Sequence, residues 1–102
     1  MKLIDCTEPV LCRGTVFRFK GKYPFCEEHV DFMLCNYPHH DDDCLPFAIY
    51  CVSGYCAGHI EYVLPLEAQY ENSRSVSTEW VIKNWNRCIY AECAVSDVEV
   101  IL

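Results

Sequence analysis

A chain of 102 residues, 52% of them hydrophobic, is the size of one domain and holds enough apolar side chains for a packed core, which excludes a disordered segment. Fifteen acids against eight bases leave a net charge of -7. Such a field repels phosphate backbones and anionic lipid, so it argues against nucleic-acid and membrane partners and favours a basic protein partner or no charged partner.

The nine cysteines are an odd number and include no CxxC pair. The N-terminus MKLIDCTEPV carries Asp5 and Glu8 and lacks an apolar run of signal-peptide length. No stretch approaches the roughly 20 apolar residues of a membrane helix. The expectation is a soluble cytoplasmic protein without a disulfide framework, in which thiols such as Cys51 and Cys88 serve as small hydrophobes.

Residues 1–9 read as an extended lead-in that ends at the Glu8-Pro9 step. Residues 15–20 alternate, with Val16 and Arg18 on one side and Phe17 and Phe19 on the other, and predict a strand. Gly21-Lys22-Tyr23-Pro24 is a turn sequence. Val30, Phe32 and Leu34 alternate with Asp31 and Met33, which predicts a second strand over residues 30–35. Residues 37–43 (YPHHDDD) form a polar loop.

Residues 45–67 organise the rest of the chain. Residues 47–52 are an unbroken apolar run, and Ile60, Tyr62 and Leu64 then alternate with His59 and Glu61. Two such runs around a short segment carrying Gly54 and Gly58 make a β-hairpin. The first run is apolar on both faces, which places it inside a sheet.

Residues 68–75 are a polar connection, after which the period changes. Val81, Ile82, Trp85, Cys88 and Ile89 recur at helical spacing and predict a helix over residues 78–90. Ser77 is its expected N-cap, Glu79 favours its positive end, and Val76 is placed to staple onto Val81. Residues 98–102 (VEVIL) predict a last strand docked in the sheet. The expected fold is a single α+β domain over residues 1–102: a mainly antiparallel sheet of about five strands with the helix packed on one face.

Three kinds of chemistry are open to this sequence. Cys35, His39, His40, Asp41, Asp42, Asp43 and Cys44 crowd ten residues, with Cys26 and His29 upstream, so a zinc-stabilised structural module is one alternative. The spacing lacks the paired knuckles of zinc folds, and no metal or other cofactor is expected. A cysteine-dependent enzyme or redox sensor is a second alternative, although no Cys sits in a nucleophile motif and no phosphate loop, HExxH or GxSxG occurs. The third is a binding surface. Asp41, Asp42 and Asp43 form a compact negative patch, and Glu27, Glu28 and Asp31 join it if the strand over residues 30–35 brings them there. An acid run is ordinarily a solvated loop, but it also suits the steering of a basic partner. Tyr37, Tyr55 and Tyr70, in or beside loops, are candidate amphipathic anchors.

Three stretches carry a family likeness. The first is Leu3-Ile4-Asp5 with Arg13-Gly14-Thr15-Val16-Phe17-Arg18-Phe19-Lys20-Gly21-Lys22-Tyr23-Pro24. The second is Val52-Ser53-Gly54-Tyr55 with Ala57-Gly58 and Leu64-Pro65. The third begins at Val76-Ser77-Thr78-Glu79-Trp80 and runs through Asn84-Trp85-Asn86 to Tyr90, Cys93 and Asp97-Val98. In this order the chain resembles small bacterial immunity proteins of polymorphic toxin systems, which include contact-dependent growth inhibition. The resemblance implies a cytoplasmic protein that is not an enzyme and that binds and neutralises a cognate toxin domain. Many such toxins are nucleases, and a nuclease is basic around its substrate cleft. The resemblance carries over no site residues. Cys56, His59 and the further cysteines depart from it and leave added thiol or metal chemistry open. The residues expected to meet the toxin are Asp41, Asp42, Asp43, Glu27, Glu28, Tyr37 and Tyr55.

Overall fold

The computed structural model describes residues 1–21, 28–38, 42–73 and 75–102. Five strands form an antiparallel sheet: β2 (Val16–Lys20), β3 (His29–Asn36), β4 (Cys44–Cys51), β5 (Ile60–Pro65) and β7 (Glu99–Ile101), in the spatial order β5-β4-β3-β2-β7. Two short strands, β1 (Val10–Leu11) and β6 (Val76–Ser77), pair beside it, and the helix α1 (Thr78–Asn84) follows β6 directly. The α+β architecture, the strand count and the interior position of β4 agree with the sequence reading.

Alternation sets the core. On β2, Phe17 and Phe19 are buried while Arg18 and Lys20 are exposed; on β3, Val30, Phe32 and Leu34 are buried. These side chains meet Trp85, which is fully buried with ring centroids 5.5 Å from Phe17, 6.0 Å from Phe19 and 6.2 Å from Phe32. At the helix start the Ser77 hydroxyl accepts a hydrogen bond from the Trp80 N–H, the expected cap. Gly54 and Gly58 take φ of 61° and 92° in the β4–β5 connection, a region where a side chain is strained, which is why the hairpin turns at glycines.

Four expectations are corrected. The lead-in is not extended: Leu3–Asp5 is a 3-10 turn, because the apolar Leu3 side chain reaches the core and its N–H donates to the Val98 carbonyl at 2.9 Å. The connection over residues 68–75 is not wholly polar, since Leu66–Ala68 forms another 3-10 turn that buries Ala68 completely. The helix over residues 78–90 is α-helical only to Asn84 and continues as a π turn, Trp85–Ile89, with Tyr90 N–H bonded to the Trp85 carbonyl. Asn84 leaves helical geometry (φ -111°, ψ 5°), and its side-chain amide donates to the Trp80 carbonyl, which loosens the regular ladder there. The last strand docks in the sheet through Val100, but its apolar end is not covered: Ile101 is 44% and Leu102 61% exposed. The expected turn at Gly21-Lys22-Tyr23-Pro24 lies mostly outside the described residues.

Trp85→Ala should lower unfolding free energy by about 3–5 kcal/mol in urea titration, the cost of emptying an aromatic site. Trp85→Phe should cost less than Trp85→Ala, since it keeps the ring packing and removes an indole N–H that has no hydrogen-bond partner among the described residues. Tyr62 stacks on Trp80 at 6.3 Å, and burial, then the Cys88 thiol, push its phenol up to about 12. The unfolded phenol ionises near 10, so the folded state holds the neutral form and its stabilising contribution is lost as pH rises from about 10 to about 12. Tyr62→Phe should therefore flatten the alkaline fall in stability over that window, measured by urea unfolding at stepped pH.

Candidate functional site

The expected binding residues do not gather in one place. Glu28 precedes β3, and Tyr37 follows it. A strand of that length spans about 23 Å at 3.3 Å per residue. The strand does lead into the acidic loop, as expected, but Glu28 and Asp31 lie toward its far end and are kept from Asp42 and Asp43 by the strand itself. Glu27 and Asp41 lie outside the described residues. Tyr55 belongs to the Glu28 end. Cys51 pairs with Phe32, the Val52 N–H donates to the Asp31 carbonyl at 2.9 Å, and the Asp31 N–H donates to Ser53 Oγ at 2.9 Å. Tyr55 stands out from that turn with 94% of its surface exposed. Asp42, Asp43 and Tyr37 share the opposite end, where Asp42 and Asp43 are exposed and Tyr37 is half-buried.

What joins the two ends is the sheet face that α1 does not cover. Phe17, Phe19, Phe32 and Tyr62 point to the helix, so the strand neighbours of the three phenylalanines point away from it, and the register shift at Glu61 sets Ile60, although two residues from Tyr62, opposite Tyr50 on the other face. The register places Ile101, Val16, Met33, Tyr50 and Ile60 in one row across all five strands of the sheet. Val16, Met33 and Tyr50 are half-buried, and Ile60 and Ile101 are exposed. Toward the acidic loop the next row is Cys35, Ala48 and Val63, followed by Tyr37 and Pro46, whose backbones bond at 3.0 Å. Toward the Glu28 end the row is Glu99, Arg18 and Asp31. The Asp31 carboxylate takes Arg18 in a fork of two bonds at 2.8 and 3.0 Å. That hydrogen bonding, and then the carboxylate charge, hold the guanidinium above its usual pKa. A groove of about 460 Å³ opens at this corner, where Lys2, Arg18, Lys20 and His29 face Asp97 and Glu99.

The two thiols that flank the acidic loop in sequence stand apart. Cys44 lies about four residue steps, some 13 Å, beyond Cys35 along the strands. Among the described residues no three His, Cys, Asp or Glu side chains gather as a metal site; Cys26, His39 and His40 lie outside them. Burial pushes the Cys35 thiol up, away from the thiolate a nucleophile needs. Cys51 and Cys93 are buried.

The sequence reading identified the loop residues and missed the open face. Alternation had shown which β2 and β3 residues point together. The row across the sheet depends on register, which no local pattern carries.

No curated protein and no solved structure matches the chain. The family described as immunity protein 45 matches residues 3–100, from the first 3-10 turn into the last strand of the open-faced sheet. The chain belongs to the immunity protein 45 family.

Proposed function

We propose that this protein is a cytoplasmic inhibitor, without catalysis of its own, that binds a cognate toxin domain and covers its active site or substrate cleft. The family match over residues 3–100 carries this reading, because immunity proteins act on a toxin partner. The toxin we assign is a basic nuclease of a contact-dependent or related polymorphic toxin system. A net charge of -7 supports it: an acidic protein is drawn to a cleft built to hold nucleic acid, and its carboxylates take the place of phosphates there. Asp42 and Asp43 are exposed at one end of the sheet, with Asp41 preceding them in sequence, and are the residues we place against that cleft, with Tyr37 beside them. Glu28 and Tyr55, at the other end, reach only a toxin surface broad enough to span the sheet.

Replacing Asp41, Asp42 and Asp43 together with Asn should weaken binding to the cognate toxin domain by about tenfold at low salt, as three rim charges of modest individual worth predict. The slope of affinity against salt concentration should flatten in the same titration. Unchanged affinity and an unchanged slope would remove this loop from the interface.

A further inference from the structure

We propose that the helix-free face of the sheet is the toxin-docking surface, with the row Ile101, Val16, Met33, Tyr50 and Ile60 as its apolar centre and the Asp42 and Asp43 loop as one rim. This rests on the toxin-binding reading above and names where that binding occurs. Three observations select the occupant.

The first is chemistry. Apolar and aromatic side chains run across five adjacent strands, while the charges of the face sit at its ends: Asp42 and Asp43 at one, and the Arg18–Asp31 pair with Glu99 at the other. An apolar centre with a polar rim is the anatomy of a protein interface.

The second is size. Five strands at about 4.8 Å spacing and six residue steps at about 3.4 Å make a face near 20 Å by 20 Å, or about 400 Å². That is at the scale of the largest apolar patch on a monomer, about 300–600 Å², and about half of one partner's share in a standard interface of about 800 Å². The rims supply the remainder, which makes the acidic loop and the face one continuous surface.

The third is charge. A second copy of this chain brings another -7 to the encounter, and an anionic lipid surface repels it as well. The partner that fits is a protein with an apolar knob ringed by basic groups, and in this family that partner is the toxin domain.

The test compares Met33→Lys and Ile60→Lys, both in the row, with Lys83→Ala on the helix, on the far side of the sheet. The probe is the cognate toxin domain, measured by titration calorimetry. Circular dichroism and thermal melting check the fold of each variant, and Ile60, already 39% exposed, accepts a lysine where the more covered Met33 resists one. Each row variant should bind about tenfold or more weakly, and Lys83→Ala within about twofold of the parent, as a central hot spot and a remote residue predict. Wild-type affinity in a folded Ile60→Lys and a folded Met33→Lys overturns the docking face and leaves the toxin-binding reading standing. Failure of the parent chain to bind the toxin overturns that reading instead. A concentration-dependent dimer in sedimentation that Ile60→Lys abolishes gives the face to a second copy and overturns the proposal.

Discussion

A five-stranded sheet has two faces, and the described residues supply one α-helix with which to cover them. The residues decide which face is covered. Phe17, Phe19 and Phe32 alternate onto one side, and Trp85 fills the space between them at centroid distances of 5.5 to 6.2 Å. Three phenylalanine rings around one indole bring together the four largest fully buried side chains among the described residues. The opposite face receives Val16, Met33 and Tyr50, which stay half-buried because only their strand neighbours shield them. The edges of this sheet are blunted. β7 is three residues long, and β5 shifts register against β4 near Glu61 and ends on Pro65. The edge strands carry the exposed Ile60 and Ile101, but a short and a bulged backbone are poor templates for further strand pairing.

The edge strand β7 is fixed by contacts distant from it in sequence. Asn86, in the π turn, donates to the Tyr90 and Cys93 carbonyls and accepts from the Val95 N–H. Its side chain therefore ties the helix end to the segment that leads into β7. Leu3 closes the same region from the N-terminus through its bond to the Val98 carbonyl, and Val100 N–H bonds to the Met1 carbonyl. Glu99 and Ile101 reach their places on the open face only because this anchoring holds. The π turn has a structural consequence of its own. Widening the helix after Asn84 lets Trp85 and Ile89 both enter the core while Tyr90 turns to stack on Phe19 at 5.1 Å.

Elements with a strong local period were legible in the sequence. The strands at Val16 and Val30, the hairpin around Gly54 and Gly58, and the helix start at Ser77 each follow from residues a few positions apart. The α-to-π change at Asn84 was not legible, because helical spacing reads the same to within one residue on either side of it. The buried Leu3 and Ala68 were hidden for a different reason: neither belongs to a periodic apolar run, and distant partners, Val98 for Leu3 and the core for both, give them their places. The acidic residues were visible as charges, but their separation depends on which strand end each occupies. Glu28 and Asp42 are close in sequence and far apart in the fold because an eight-residue extended strand is included between them.

An inhibitor of a toxin has two physical tasks, and in the proposed role this molecule divides them between different parts of one surface. Capture must be fast, and long-range attraction between an acidic chain and a basic cleft raises the association rate without needing close contact. Retention must be long, and that depends on apolar surface removed from water, which salt does not screen. On this proposal Asp42 and Asp43, exposed at the end of the sheet, supply the attraction, while Met33 and Tyr50, at its centre, supply the area from which water is excluded. In the proposed role, salt should therefore act mainly on how quickly the complex forms, and the central row on how long it lasts. The Arg18–Asp31 fork fits neither task as an attractor, since its charges already satisfy each other. Its place beside the apolar row gives the face a polar boundary, which in the proposed role orients the docked toxin.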